Sequence, residues 1–172
     1  MKVLASLAGG LAGAITVTLL HEVFRNVNPK TAPRLNKLGE QATEKLTQLS
    51  GSNPPKGKDL YSTSMAGSIL ANTLTYSLAG ITGKKPLSVG TLLGAAMGWG
   101  AVKLPPKMGL KSKFSAGSNK RKIGTVLLYI AGGLVASAVT RNLKKKAEKK
   151  KPIVSSNKSP DEAWKPVLDI VV

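Results

Sequence analysis

The chain has 172 residues, enough for one domain, and carries a formal net charge of +18 with a mean hydropathy close to zero. It contains no cysteine, which excludes disulfides, thiolate metal sites and a cysteine nucleophile. The lysines lie between and after very apolar blocks, a distribution that favours lipid head groups over nucleic acid as the partner of the charge.

Four apolar segments indicate transmembrane helices, at residues 3–24, 61–82, 87–104 and 123–140. At a rise of about 1.5 Å per residue, each spans about 27–33 Å, which matches the hydrocarbon core of a bilayer. We predict an all-α membrane protein, a four-transmembrane-helix bundle with a short amphipathic loop helix. Residues 1–140 would form the transmembrane domain, and residues 141–172 a basic, partly flexible C-terminal tail.

The first segment starts like a signal peptide, with Lys2 before an apolar run, but the run continues past the usual length of about 7–15 residues. We expect a retained helix.

The first segment ends on His21 and Glu22, a histidine and a carboxylate of the kind used in proton transfer. Adjacent helical residues diverge by about 100° and do not face each other. The pair could form an interfacial cap, a proton-handling or ligand site, or a metal site, and the single histidine disfavours a metal site.

The connection after the first segment contains an amphipathic pattern at Thr31–Leu49. Thr31 suits an N-cap and Pro33 the first turn. Its apolar stripe comprises Leu35, Leu38, Ala42, Leu46 and Leu49. We predict a helix that either packs on the end of the bundle or lies flat among the head groups.

The second segment carries a polar cluster around Asn72 and Tyr76. A side-chain amide in the middle of a membrane needs a partner, so we expect this face to point into the bundle. It would either hold helices together by hydrogen bonds or line a polar cavity or pathway. The sequence Gly83–Pro86 then predicts a tight turn, which makes the second and third helices antiparallel neighbours.

Small residues spaced four apart mark one face of each long helix. In lipid, apolar surface gives helices no reason to associate, and small residues that permit close backbone contact are typical of helix interfaces. The predicted packing faces, within the chain or between subunits, are Gly9 with Gly13, Gly67 with Ala71, the set Gly90, Gly94 and Gly98, and Gly132 with Ala136.

The segment after the last helix is nearly all lysine and predicts contact with anionic lipid head groups. The residues concerned are Lys144, Lys145, Lys146, Lys149, Lys150 and Lys151. An even number of spans places both termini on one side, and this cluster favours the cytoplasmic side. The loops on the other side are also basic, so counting positive charges does not decide the orientation.

The order of motifs resembles a family of small four-helix bacterial inner-membrane proteins and, more distantly, the YagU-like inner-membrane proteins. The resemblance rests on His21-Glu22 after a glycine-rich helix, then "APRLNKLGEQA", "LYSTSMAGSILANTLTYSLAG", "GAVKLPPKMGL" and Gly132-Gly133, and covers residues 3–140. It implies a multi-pass bacterial inner-membrane protein and assigns no activity, cofactor or site residue.

The expected function is a structural or accessory subunit that binds partner membrane proteins, a second copy of itself, or lipids. An oligomeric channel or transporter with a polar path near Asn72 is the alternative. An enzyme using His21 or Glu22 is less favoured, because nucleotide-binding and hydrolase motifs do not occur in the sequence. We expect no cofactor, no metal and no nucleic-acid partner.

Overall fold

The computed structural model describes residues 2–81 and 86–149, and in that part of the chain all regular structure is helical. The helices are α1 (Lys2–Val27), α2 (Leu35–Leu49), α3 (Gly57–Ile81), α4 (Pro86–Lys107), α5 (Lys113–Ala116) and α6 (Asn119–Lys149). The four long helices α1, α3, α4 and α6 correspond to the four apolar segments. Residues 83–85 of the predicted turn and residues 150–172 of the predicted tail lie outside the described residues.

Three of the long helices continue beyond their predicted ends. α1 passes Phe24 and runs to Val27. α6 passes Thr140 and runs to Lys149, so the boundary predicted at residue 140 falls inside a helix. α4 passes Leu104 and includes Pro105 and Pro106 in its last turn. These prolines donate no backbone hydrogen bond, so the carbonyls of Ala101 and Val102 lack their usual partners four residues along the helix.

Three helices of the described chain, α1, α4 and α6, are long and apolar enough to cross a membrane. Their length and composition indicate a helical membrane protein. Of the four predicted spans, α3 does not meet this criterion, because serine, threonine and asparagine reduce its apolar character. Several of these polar residues, including Ser64, Asn72 and Ser77, are buried in the structure.

The long helices pack in the order α3, α1, α6, α4. α1 packs extensively against α3 and α6, and α6 packs extensively against α4, whereas α3 and α4 touch sparsely. The predicted antiparallel neighbours α3 and α4 are therefore not in close contact. Small side chains bring the other pairs together, and α3 and α4 form the two sides of an incompletely closed bundle.

α2 lies across one end of the bundle, against α3 and α5. The helix begins at Leu35 and not at Thr31, because residues 28–33 form a turn in which the N–H groups of Thr31 and Ala32 bond to the Asn28 carbonyl. Its stripe divides: Leu35, Leu38 and Ala42 face the bundle, whereas Leu46 and Leu49 are 63% and 75% exposed. The first half of α2 therefore packs on the end of the bundle, which is one of the two predicted placements.

The end of α4 is held by a glycine turn on the same side of the bundle as α2. Gly109 has a φ of +68°, and its N–H bonds to the Pro106 carbonyl at 3.1 Å. The N–H of Leu110 bonds to the Pro105 carbonyl at 2.7 Å. This pair of bonds is the Schellman motif, which favours glycine in the left-handed conformation. It turns the chain so that Leu110 reaches the space below α2.

Candidate functional site

A cleft of about 680 Å³ lies between α3 and α4, where the helix bundle is not closed. Val17 of α1 and Tyr129 of α6 contribute to its floor, and α2 covers one end through Leu35, Leu38 and Ala42. The volume is within the range of about 300–1,000 Å³ that small-molecule sites occupy. We treat this cleft as the candidate functional site.

The α3 side of the cleft carries a polar strip. Its lining residues are Ser64, Met65, Ser68, Ala71, Asn72 and Thr75. They share one face because helical residues three and four apart lie above one another. Ser64 and Thr75 donate their hydroxyl hydrogens to carbonyls of their own helix, at Tyr61 and Ala71.

Asn72 is a buried polar group of this strip. Its side chain is only 9% exposed, yet it makes no hydrogen bond to any described residue. A buried amide without a partner costs about 1–3 kcal/mol, so most such groups in proteins are bonded. Asn72 therefore presents unused donors and an unused acceptor to the cleft. The structure does not show the interhelical hydrogen bond considered for it from sequence.

The α4 side of the cleft is apolar, with small residues between larger ones. It consists of Leu93, Ala96, Met97, Gly100, Ala101, Leu104 and Pro105. None of the residues that line the cleft carries a carboxylate, ammonium or guanidinium group. The site can therefore bind an apolar chain along α4 and hydrogen-bond an uncharged group along α3.

His21 closes the α2 end of the cleft and is only 4% exposed. Its Nε2 atom lies 2.9 Å from the Pro33 carbonyl oxygen and 3.3 Å from the Leu35 backbone nitrogen. With a proton on Nε2, the ring donates to Pro33. With the proton on Nδ1, Nε2 accepts from Leu35. Either tautomer ties the ring to the start of α2.

Glu22 points away from His21 and forms an ion pair with Arg25 at 2.7 Å, one helical turn along α1. The two neighbours therefore make no joint site, as their angular separation on a helix requires. Within residues 2–81 and 86–149, no three histidine or acidic side chains gather in a way that could hold a metal ion.

Tyr76 lies behind the cleft, fully buried between α1, α3 and α6. Its hydroxyl donates to the Tyr129 carbonyl at 2.7 Å and so joins α3 to α6. The structure thus brings His21 and Asn72 to the same cleft, at different depths. It places Glu22 and Tyr76 elsewhere.

Most of the glycines singled out from sequence lie where helices approach closely. A Cβ atom at Gly13 would come within 2.6 Å of the Gly132 carbonyl oxygen, and one at Gly9 within 2.5 Å of the Ala136 carbonyl oxygen. On α4, Gly90, Gly94 and Gly98 face the α6 backbone.

Gly67 differs from the other glycines. A Cβ atom there would meet no described residue within 4 Å. The expectation that Gly67 packs against another helix within the chain is therefore wrong, because α3 turns this face outwards beside the cleft. Its companion Ala71 lines the cleft instead.

The basic segment is divided between two environments. Lys144 is half-buried, and its ammonium donates to the Gly80 carbonyl near the end of α3. Lys145, Lys146 and Lys149 are exposed. Lys150 and Lys151 lie outside the described residues. A cation near a helix C-terminus also interacts favourably with the helix dipole. Lys144 therefore caps α3 and is not available to lipid head groups.

Sequence reasoning missed several residues that line the cleft. Asn36 lines it beside His21, and Ser64 and Ser68 continue the polar strip from Asn72 towards α2. The spacing of four between Ser64, Ser68 and Asn72 was a visible signal, but it does not distinguish a face towards a neighbour from a face towards an open cleft.

The groups that line the cleft are better suited to binding a molecule than to catalysing a reaction. Its one histidine is engaged with the backbone at the start of α2, no carboxylate lines the cleft, and none of the lining hydroxyls is hydrogen-bonded to the imidazole. Comparison of the chain with protein-family models, with curated proteins and with solved structures finds no match.

Proposed function

We propose that the protein is a multi-pass membrane protein that binds a lipid-soluble molecule in the α3–α4 cleft and acts as an accessory subunit, not as an enzyme. The observation that carries this proposal is the cleft itself, which has an apolar lining, no charged group and an unbonded amide. Such a lining would hold water poorly and an apolar chain well.

The exposed surface supports a membrane environment around the cleft. Large apolar side chains stand exposed on the outer faces of the helices, among them Leu19, Leu70, Leu92 and Ile123 at 58% or more. A water-soluble monomer rarely shows contiguous apolar surface of this kind. Trp99 and Lys103 stack at 5.2 Å near the α2 end of α4, a pair suited to the membrane interface.

We take α3 as the fourth span and thus retain the predicted four-transmembrane-helix bundle as a proposal. The helix runs from Gly57 to Ile81, about 37 Å at 1.5 Å per residue, which is enough to cross the bilayer. Its buried polar residues face α1, α6 or the cleft, while Leu70, Leu74 and Leu78 face outwards. Polar residues in spans commonly face the interior in this way.

The resemblance described above favours the bacterial inner membrane as the location. Cytoplasmic termini would place the lysines that end α6 beside an anionic leaflet, where each nearby lysine gains about 1 kcal/mol. Partner subunits or a second copy would contact the outer helix faces, of which the open Gly67 face allows the closest backbone approach.

The test is purification in mild detergent followed by mass spectrometry of bound lipids and proteins. We expect the wild type to retain a lipid-soluble molecule. Ala71→Trp should fill the cleft and displace it, since Ala71 lines the cleft. The neighbouring Leu70→Trp is the matched control, because Leu70 is 60% exposed on the outer face of α3.

The proposal fails if wild type and Ala71→Trp retain the same molecules in the same amounts. Retention of a defined partner protein in the same experiment would support the accessory role. If neither the wild type nor either variant retains a defined partner protein, the proposal of an accessory subunit fails.

A permeation protein is the second candidate, favoured by the polar strip from Ser64 to Asn72. In the described chain this strip stops near the middle of the bundle, and beyond it small residues such as Gly10, Ser77 and Gly80 pack closely. A path across the membrane would therefore need a second copy or an opening of this half. Solute flux through liposomes containing the wild type, abolished by Asn72→Leu, would favour this function over the first.

A further inference from the structure

We propose that the ligand of the α3–α4 cleft is an uncharged amphiphile whose hydroxyl, ester or amide group hydrogen-bonds to Asn72 while its apolar chain lies along α4. The inference rests on the proposed function and adds the chemical class of the ligand. It follows from two observations: the unpartnered amide of Asn72 and the uncharged lining of the whole cleft.

The Asn72 amide selects for a polar group on the ligand. The side chain is nine-tenths buried, lines the cleft and has no hydrogen-bond partner among the described residues. An amide offers two donor hydrogens and an acceptor oxygen, so it can pair with a hydroxyl, a carbonyl or another amide. A pure hydrocarbon would leave these groups unbonded in an apolar cleft, which is unfavourable.

The lining excludes a charged group at this depth. No acidic or basic side chain borders the cleft, and the only histidine is engaged with Pro33 or Leu35. A phosphate, carboxylate or ammonium beside Asn72 would be a buried charge without a counter-ion, which costs far more than one hydrogen bond can offset. The ligand's polar group is therefore neutral.

The position of Asn72 limits the size of that polar group. Asn72 follows Ser64 by eight residues, so it lies about 12 Å deeper along α3 from the α2 end. Phospholipid head groups stay at the interface with water. In the proposed arrangement that interface lies at the α2 end, where exposed basic residues are Lys37, Lys45, Lys103, Lys107 and Lys111. A group that reaches Asn72 must be small and easily desolvated, as in a long-chain alcohol or a glyceride.

The α4 side accommodates the chain. Ala96, Gly100 and Ala101 leave room beside the helix, and Leu93, Met97 and Leu104 supply apolar contacts. Methionine adapts its shape to irregular ligands more readily than branched residues do. The apolar chain thus has a continuous surface from the middle of the bundle to Leu104.

The test compares three photoreactive probes with the same alkyl chain on the full-length protein in detergent: a long-chain alcohol, the alkane without the hydroxyl, and the alkyl sulfate. We expect the alcohol to label peptides of α3 and α4 about tenfold better than either other probe. Asn72→Leu should reduce labelling by the alcohol to the level of the alkane.

Thr91→Val is the matched control, because Thr91 does not line the cleft and donates its hydroxyl to the Leu87 carbonyl within its own helix. We expect this variant to label like the wild type. Circular dichroism and thermal unfolding in detergent establish that each variant is folded.

The outcomes separate this inference from the proposed function. Equal labelling of the cleft by alcohol and alkane, blocked by Ala71→Trp, overturns the inference and leaves cleft binding intact. Preferential labelling by the alkyl sulfate also overturns it, since selectivity would then come from the exposed lysines at the α2 end. If no probe labels the cleft and the purified wild type retains no lipid-soluble molecule, both proposals are wrong.

Discussion

At the scale of single residues, His21 joins two elements whose contacting residues are twelve positions apart in the chain. Its ring lies in the last two turns of the apolar helix α1 and bonds the backbone where α2 begins. The sequence marks His21 and Glu22 together because they are adjacent. The structure separates them, since Glu22 pairs with Arg25 on the surface. Proximity in sequence was therefore a poor guide to proximity in space.

We predict that His21→Leu loosens the first half of α2. The change leaves either the Pro33 carbonyl or the Leu35 N–H without its partner, a loss of about 1–3 kcal/mol for a buried group. Amide hydrogen exchange should become at least about fivefold faster in the first turns of α2, which corresponds to the lower end of that range. The second half of α2 should change less, because Lys45 still donates to the Met108 carbonyl and Gln41 still accepts from the Lys111 N–H.

Glu22→Gln is the control for this prediction. Its ion pair with Arg25 is partly exposed, and such pairs contribute less than about 1 kcal/mol. Exchange in α2 should stay at the wild-type rate in this variant. Equal acceleration in both variants would mean that the imidazole does not hold α2.

At the scale of elements, α4 and α6 approach each other through backbone atoms. Gly90, Gly94 and Gly98 lie four residues apart on α4, and α6 occupies the groove that they form. Gly133 of α6 faces Gly90, so two glycines meet where the helices are closest. Close packing of this kind replaces the hydrophobic effect, which does not drive helices together in lipid.

We predict that Gly94→Leu destabilises the bundle strongly. A Cβ atom at this position would overlap the Tyr129 carbonyl oxygen, and neither backbone can move without separating α4 from α6. Overpacking of a well-packed contact costs about 1–3 kcal/mol or more. The thermal unfolding temperature in detergent should fall by several degrees, with about 2–4 °C expected per kcal/mol for a chain of this size.

Gly67→Leu is the matched control on α3, because a side chain at Gly67 meets open space. Its unfolding temperature should equal or exceed that of the wild type, since replacing a mid-helix glycine removes a helix-propensity penalty of up to about 1 kcal/mol. If Gly94→Leu is as stable as Gly67→Leu, the close contact between α4 and α6 does not exist. If Gly67→Leu alone changes the oligomer size, the Gly67 face contacts a second subunit.

At the scale of the whole molecule, the number of membrane spans decides whether the cleft opens to lipid or to water. If α3 crosses the membrane, the cleft opens sideways into lipid between two spans. If only α1, α4 and α6 cross, α3 and the polar strip lie in water on one side. Only the first arrangement fits a ligand taken from the bilayer.

We predict that the segment before α3 and the segment between α4 and α6, both at the α2 end, are on the same side of the membrane. The chain contains no cysteine, so single cysteines at Ser52, Ser118 and Glu148 can be labelled with a membrane-impermeant maleimide. Four spans place Ser52 and Ser118 on one side and Glu148 on the other. Three spans without α3 place Ser52 and Glu148 together, with Ser118 opposite, and this result would refute the four-span proposal.

Much of this organisation could be predicted from sequence. The apolar segments at 3–24, 61–82, 87–104 and 123–140 indicated where the long helices lie, because helix length and hydrophobicity are local properties. The spacing of Gly90, Gly94 and Gly98 indicated a face of close approach for the same reason. The boundaries at Thr31, Leu104 and Thr140 were wrong, since each depends on hydrogen bonds or packing with residues outside the pattern.

The sequence by itself determined that the chain is helical, that its apolar helices suit a membrane, and which faces carry small residues. Only the tertiary structure decided that the helices pack in the order α3, α1, α6, α4, which leaves the cleft between α3 and α4. The physical reason is that small residues permit close approach without specifying a partner. The choice of neighbour depends on how all faces fit at once. The same choice left Asn72 beside an open space and not beside a helix, and this placement is what gives the cleft its selectivity in our proposal.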